Sequence, residues 1–201
     1  MAELAASSTK ENAAPPRAAA AMTLDKARLA TPGAFAEPPP PDFLDRVKAL
    51  TRELGTQQRL SWDEYFGGMA LLAAARSPCG RLHVGCVVVR DRRVLSMGYN
   101  GFFQGAPHRS IMAHGHEQAT VHAEQNAISH AARTGISLDG ADAYVTHYPC
   151  VNCFKTLVSA GIRKVYYIDD YRNDPVTAQL SDVANVPVEK LKGQTPGAGP
   201  C

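Results

Sequence analysis

The 201 residues carry 21 Lys and Arg against 19 Asp and Glu, a formal net charge of +2, and such near balance leaves no electrostatic footprint for duplex nucleic acid. No apolar run approaches the ~20 residues of a membrane-spanning helix, and Glu3, Lys10, Glu11 and two prolines interrupt the N-terminal alanines, which argues against a signal peptide. The length suits one medium domain with a genuine core plus tails, and a soluble cytoplasmic protein is expected.

Residues 1–41 are rich in Ala, Pro and Ser and run into EPPPPD. They cannot bury enough apolar surface to offset chain ordering, so a disordered tail is expected. Over 42–60 the reading is an amphipathic helix and linker. Phe43, Leu44, Val47, Leu50 and Leu54 share one stripe, available to the domain or to a neighbouring subunit. A domain over 61–192 opens with Ser61 and Glu64 as a capping box ahead of a helix. VGCVVVRDRRVLSMGYNG (84–101) reads as a hairpin, and 101–120 as an irregular polar stretch. Then come a helix over 122–135 stopped by Gly135, a strand over 142–147 and a helix over 150–161 stopped by Gly161. A strand at 164–168, a helix near 175–184 and a short strand near 187–190 follow, and 193–201 is expected to be a flexible tail. Strand–helix alternation after a hairpin argues an α/β fold with a mixed sheet between helices.

Five cysteines, Cys79, Cys86, Cys150, Cys153 and Cys201, make an odd count with one tight C-x-x-C. Without a secretion signal this favours reduced thiols or metal ligands. In YPCVNC, Pro149 suits a first helical turn, so Cys150 and Cys153 are expected on one face of a helix start. His122 likewise opens a helix, with Glu124 two positions on. One His and two Cys leave a tetrahedral zinc with an open fourth position, as catalytic sites do, and zinc acidifies water there. Glu124, near the metal but not bound to it, is placed to shuttle the proton. Alone, C-x-x-C also admits a redox pair or half a zinc knuckle, as the less favoured reading. H-A-E, a gap of about two dozen residues and then P-C-x-x-C is far more specific, being the signature of zinc-dependent cytidine-type deaminases.

SWDEYF, VGCVVV, GYNG, HAEQNAI, DGADAYVTHYPCVNC, AGIRKVYY and DDYRNDP, spread over roughly 61–190, together resemble the deoxycytidylate (dCMP) deaminase family. The likeness is greatest to bacterial and phage-type members, late-competence proteins among them. The resemblance implies a cytidine-deaminase-like three-layer α-β-α sandwich around a mixed five-stranded sheet. It implies zinc on His122, Cys150 and Cys153, with Glu124 carrying a proton to N3 and then to the leaving amine as dCMP becomes dUMP for thymidylate synthesis. It further implies Asn100 at the sugar 3′-hydroxyl, Tyr171 beside the substrate and Arg172 at the phosphate. Asn100 beside Gly101 is also an ordinary turn residue.

Some members of that family hold a second, structural zinc, which by resemblance would fall to Cys79, His108, His114 and His116. The alternative reading is that these histidines sit on a solvated loop or meet the substrate phosphate, but four ligand-type residues clustered where one site is expected favour the metal. His83 is a further candidate to face the nucleotide, His147 reads as an ordinary strand end, Cys86 as a buried small residue and Cys201 as a solvent-facing thiol. The resemblance also implies a homo-oligomer, hexameric in many members. Its effectors are dCTP and dTTP, with His130 and Arg133 near the subunit contact. No membrane or nucleic-acid partner is expected. Rival readings are a deaminase for another cytosine nucleotide or nucleoside, a nucleic-acid-associated protein, and an inactive zinc scaffold.

Overall fold

The computed structural model describes residues 42–57, 59–113 and 116–192, with backbone alone at 54–57, 113 and 116. All of these lie in the unit Pro32–Cys201. The expected tails at 1–41 and 193–201 fall outside the described residues. Helix α1 (Phe43–Gln57) forms where the apolar stripe predicts it, yet Leu44 and Leu50 remain 65% and 55% exposed. Helix α2 (Trp62–Ala74) starts on the expected capping box. The Ser61 hydroxyl accepts the Glu64 N–H at 3.2 Å, and the Glu64 carboxylate accepts the Ser61 N–H at 2.8 Å.

β1 (Gly85–Arg90) and β2 (Arg93–Tyr99) are the predicted hairpin. Asp91 and Arg92 both take left-handed backbone, φ 52° and 60°, which matches the twist a two-residue hairpin turn requires. The stretch read as irregular contains four two-residue strands: β3 (Gly101–Phe102), β4 (Met112–Ala113), β5 (His116–Glu117) and β6 (Thr120–Val121). β3 pairs with β6, Gly101 opposite Val121, so the end of the hairpin lies against the start of the next helix. That helix, α3 (Ala123–Thr134), ends at Gly135 in left-handed backbone, φ 71°. β7 (Asp142–His147), α4 (Val151–Ser159), β8 (Lys164–Asp169), α5 (Pro175–Ala184) and β9 (Val188–Lys190) complete the chain order.

Five strands form one mixed sheet, ordered β2-β1-β7-β8-β9. β1 runs antiparallel to β2 and β7, while β7, β8 and β9 are parallel. Alternation along β1 divides the core, since side chains of successive strand residues leave opposite faces. Cys86 and Val88 pack with Ala123, Ala127, Phe154 and Leu157 of α3 and α4. Val87 and Val89 pack with Phe66 and Ala70 of α2. These are the three layers the resemblance implies. A central strand covered on both faces must be apolar throughout, as VGCVVV is.

Two glycines let the helices approach the sheet. A Cβ at Gly85 would stand 2.0 Å from the Ala70 carbonyl oxygen, and one at Gly98 would stand 2.4 Å from that of Ala123. No helix among the described residues is long and apolar enough to cross a membrane.

Candidate metal centre

The antiparallel pairing of β1 with β7 brings the N-terminal end of β1 to the C-terminal end of β7, where Gly85 donates to Thr146 Oγ1 at 3.1 Å. The start of α4 follows β7, and β3–β6 pairing delivers the start of α3 to the same edge. Crevices at the carboxyl ends of parallel strands are where α/β sheets bind ligands.

His122 is the N-cap residue of α3 in extended backbone and makes no side-chain capping bond, which leaves its ring free. Cys150 caps α4, and its Sγ accepts the Cys153 N–H at 3.5 Å. The positive ends of both helices therefore face one point, which favours thiolate. His122 Nδ1 lies 3.7 Å from Cys150 Sγ and 3.3 Å from Cys153 Sγ, and the three donor atoms fall within 4.8 Å of one another. Bond lengths of about 2.0 Å to nitrogen and 2.3 Å to sulfur imply tetrahedral edges of roughly 3.5–3.8 Å. The donor set thus fits a zinc ion. Among the described residues it is the one group of three or more His, Cys, Asp or Glu side chains so placed.

The hydrogen bond with Cys153 and the His122 ring push the Cys150 thiol down to about 4. Cys153 is pushed up by the neighbouring Cys150 sulfur and by burial. One thiolate therefore forms readily, and a divalent cation supplies what the second needs. Hydrogen bonding to Cys150 raises His122. Glu124 is 4% exposed, and burial holds its carboxyl above the usual glutamate value, as suits a proton carrier near neutrality.

A cavity of about 310 Å³ opens over these residues, and Asn100, Tyr171 and Arg172 line it, as does Cys79. Asn100 is 8% exposed. Its Nδ2 donates to the Leu82 carbonyl at 2.7 Å and its Oδ1 accepts the Val84 N–H at 2.8 Å. One amide N–H and one lone pair remain for a ligand. Arg172 takes left-handed backbone, φ 43°, with its guanidinium 5.8 Å from the Tyr171 ring.

Of the remaining candidates, His108, His130 and Arg133 do not line the cavity. His108 stacks on Phe102 with centroids 5.2 Å apart. His114 lies outside the described residues, as does the side chain of His116. His130 Nδ1 lies 3.3 Å from Ser96 Oγ, and Arg133 is exposed at the end of α3.

Sequence reasoning missed Arg81, Glu117 and His147, which also line the cavity. Arg81 Nη2 donates to the Tyr171 hydroxyl at 2.6 Å. Glu117 accepts the N–H of Ile111 at 3.0 Å and of Ala119 at 2.8 Å, and the Ser110 hydroxyl also donates to it. It thereby pins the loop ahead of His122. No local motif marks these residues, because the sheet edge is what assembles them.

Residues 60–169 match the model of the cytidine and deoxycytidylate deaminase zinc-binding region. ComE operon protein 2 of Bacillus subtilis is 43% identical over 139 residues, covering 67% of this chain and 74% of that protein. The deoxycytidylate deaminase of Schizosaccharomyces pombe is 39% identical over 140 residues, 64% of this chain, which span only 43% of the yeast protein. Among solved structures, dCMP deaminase from the cyanophage S-TIM5 in complex with dCMP and dUMP matches 67% of this chain and 99% of its own. That match has 33% identity and a TM-score of 0.60. With the zinc-fitting triad, the buried glutamate and the family model all on the same segment, the chain belongs to the cytidine and deoxycytidylate deaminase family.

Proposed function

We propose that the protein hydrolyses dCMP to dUMP and ammonia, supplying dUMP for thymidylate synthesis in the cytoplasm. The observation that carries the reading is Glu124, buried beside the His122–Cys150–Cys153 cluster at the floor of a cavity bearing Arg81 and Arg172. Zinc held by the three donors would supply a Lewis acid that makes water a competent nucleophile at neutral pH. The chain's own groups do the rest. Glu124 takes one proton of the water adding at C4 and delivers it to N3. It then takes the proton of the new C4 hydroxyl and hands it to the amine, which leaves as ammonia while the C4 carbonyl forms and the C4–N bond breaks. Arg81 and Arg172 offer guanidinium donors to a 5′-phosphate, while Tyr171 and the spare valences of Asn100 face the sugar.

A second zinc on Cys79, His108, His114 and His116 would brace the loop that Glu117 pins, and metal content would then approach two per chain. Assembly into a homo-oligomer, hexameric by resemblance, draws support from the apolar outer face of α2. There Tyr65, Leu71 and Leu72 are 46%, 50% and 54% exposed. His130 and Arg133 are proposed near the subunit contact, where dCTP and dTTP would act.

The test is ammonia release from dCMP, CMP, deoxycytidine and dCTP, each with and without dCTP or dTTP as effector. Turnover of dCMP ahead of the other three is expected. Preference for CMP or deoxycytidine would move the reading to another cytosine substrate.

A further inference from the structure

β7 ends in two polar side chains that the metal centre does not use. Thr146 is 1% exposed; its Oγ1 accepts the Gly85 N–H at 3.1 Å and lies 2.9 Å from His147 Nδ1. A buried hydroxyl must place its own proton. Among the described residues, the acceptor it reaches is His147 Nδ1. Nδ1 therefore holds the lone pair, and Nε2 carries the ring proton. Burial lowers the imidazole's proton affinity, which favours the same uncharged form.

The ring stands perpendicular to that of Tyr171, centroids 6.0 Å apart at 88°. The Tyr171 hydroxyl is held in turn by Arg81. All three side chains line the cavity, and no described residue accepts a hydrogen bond from His147 Nε2. A strand-end histidine with only a packing role has no need of a fixed tautomer. Here a locked, unspent donor borders the space where a ligand must lie.

We infer that His147 is a substrate-contacting residue whose Nε2–H donates to an uncharged acceptor on the nucleoside half of the pyrimidine nucleotide. The inference rests on the dCMP reading. An uncharged N–H suits a base carbonyl or sugar oxygen, whereas Arg81 and Arg172 carry the charge a phosphate calls for. Tyr171, held by Arg81 through its hydroxyl and set perpendicular to the His147 ring, lies between the two kinds of recognition.

The test is calorimetric binding of dUMP and of deoxyuridine to zinc-loaded wild type, His147→Leu and His147→Gln, with zinc content measured alongside. Leucine removes the donor, and glutamine restores an N–H near the Nε2 position. The expected result is about tenfold weaker binding of both ligands to the leucine variant. The glutamine variant should stay within about threefold of wild type, with equal zinc in all three proteins. Unchanged affinity in the leucine variant overturns the inference, as does weakening confined to dUMP, equal loss in both variants, or loss of zinc. Failure of wild type to deaminate dCMP is a separate result that strikes the functional reading instead.

Discussion

Glu124 packs beneath the triad with its carboxyl raised chiefly by burial. The carboxylate must be free to take a proton, so activity should climb as pH rises through that raised value. The acid limb is then expected above the ordinary glutamate value of about 4.3. Glu124→Gln keeps the shape and removes the base, and should cut kcat by about 10²–10⁴-fold while zinc content is unchanged. Steady-state kinetics with metal analysis checks both halves; a variant retaining most of its kcat would remove Glu124 from the mechanism. The four residues of the centre were legible in the sequence because each pair is local: H-A-E opens one helix and P-C-x-x-C the next, and helix starts impose their own geometry. Arg81, Glu117 and His147 were not. Arg81 precedes β1, His147 ends β7, and only the antiparallel register of those strands puts the two side chains on one cavity.

The elements place the centre through close packing. Gly98 in β2 lies under the first turn of α3, and a Cβ there would fall 2.4 Å from the Ala123 carbonyl oxygen and 2.5 Å from the Ala127 N. Those are backbone atoms, so the helix bearing His122 and Glu124 must shift to make room. Gly98→Ala should therefore destabilise the fold by about 1–3 kcal/mol and weaken zinc binding. Chemical denaturation and a competitive zinc titration read the two effects, and a variant of wild-type stability and zinc affinity would contradict this packing. Helices and main strands were legible because their signals are long: the capping box at Ser61, the apolar run through VGCVVV and the stop at Gly135. The ribbons β3–β6 and β4–β5 were read as irregular since two-residue strands carry no periodicity to detect. Their consequence is large all the same, because the β3–β6 pairing ties Asn100 to His122.

For the molecule as a whole, a mixed sheet with helices on both faces leaves one edge where the ends of β1, β7 and β8 and the starts of α3 and α4 converge. Sequence order predicted the layers, but not which loops would share that edge. Function depends on this convergence: two helix N-termini aim a histidine and two thiols at one point, over which a cavity bears guanidinium groups and a locked imidazole. Exposed apolar side chains on α1 and α2, Leu44 and Leu72 among them, are surfaces that the proposed homo-oligomer would cover. The most direct measurement is a crystal structure of the zinc-loaded protein with anomalous data at the zinc edge. The account predicts an anomalous peak about 2.0–2.1 Å from His122 Nδ1 and about 2.3 Å from the sulfurs of Cys150 and Cys153, with Glu124 beside it and unbound. Zinc absent from that point, or the two sulfurs joined as a disulfide in active protein, would contradict it.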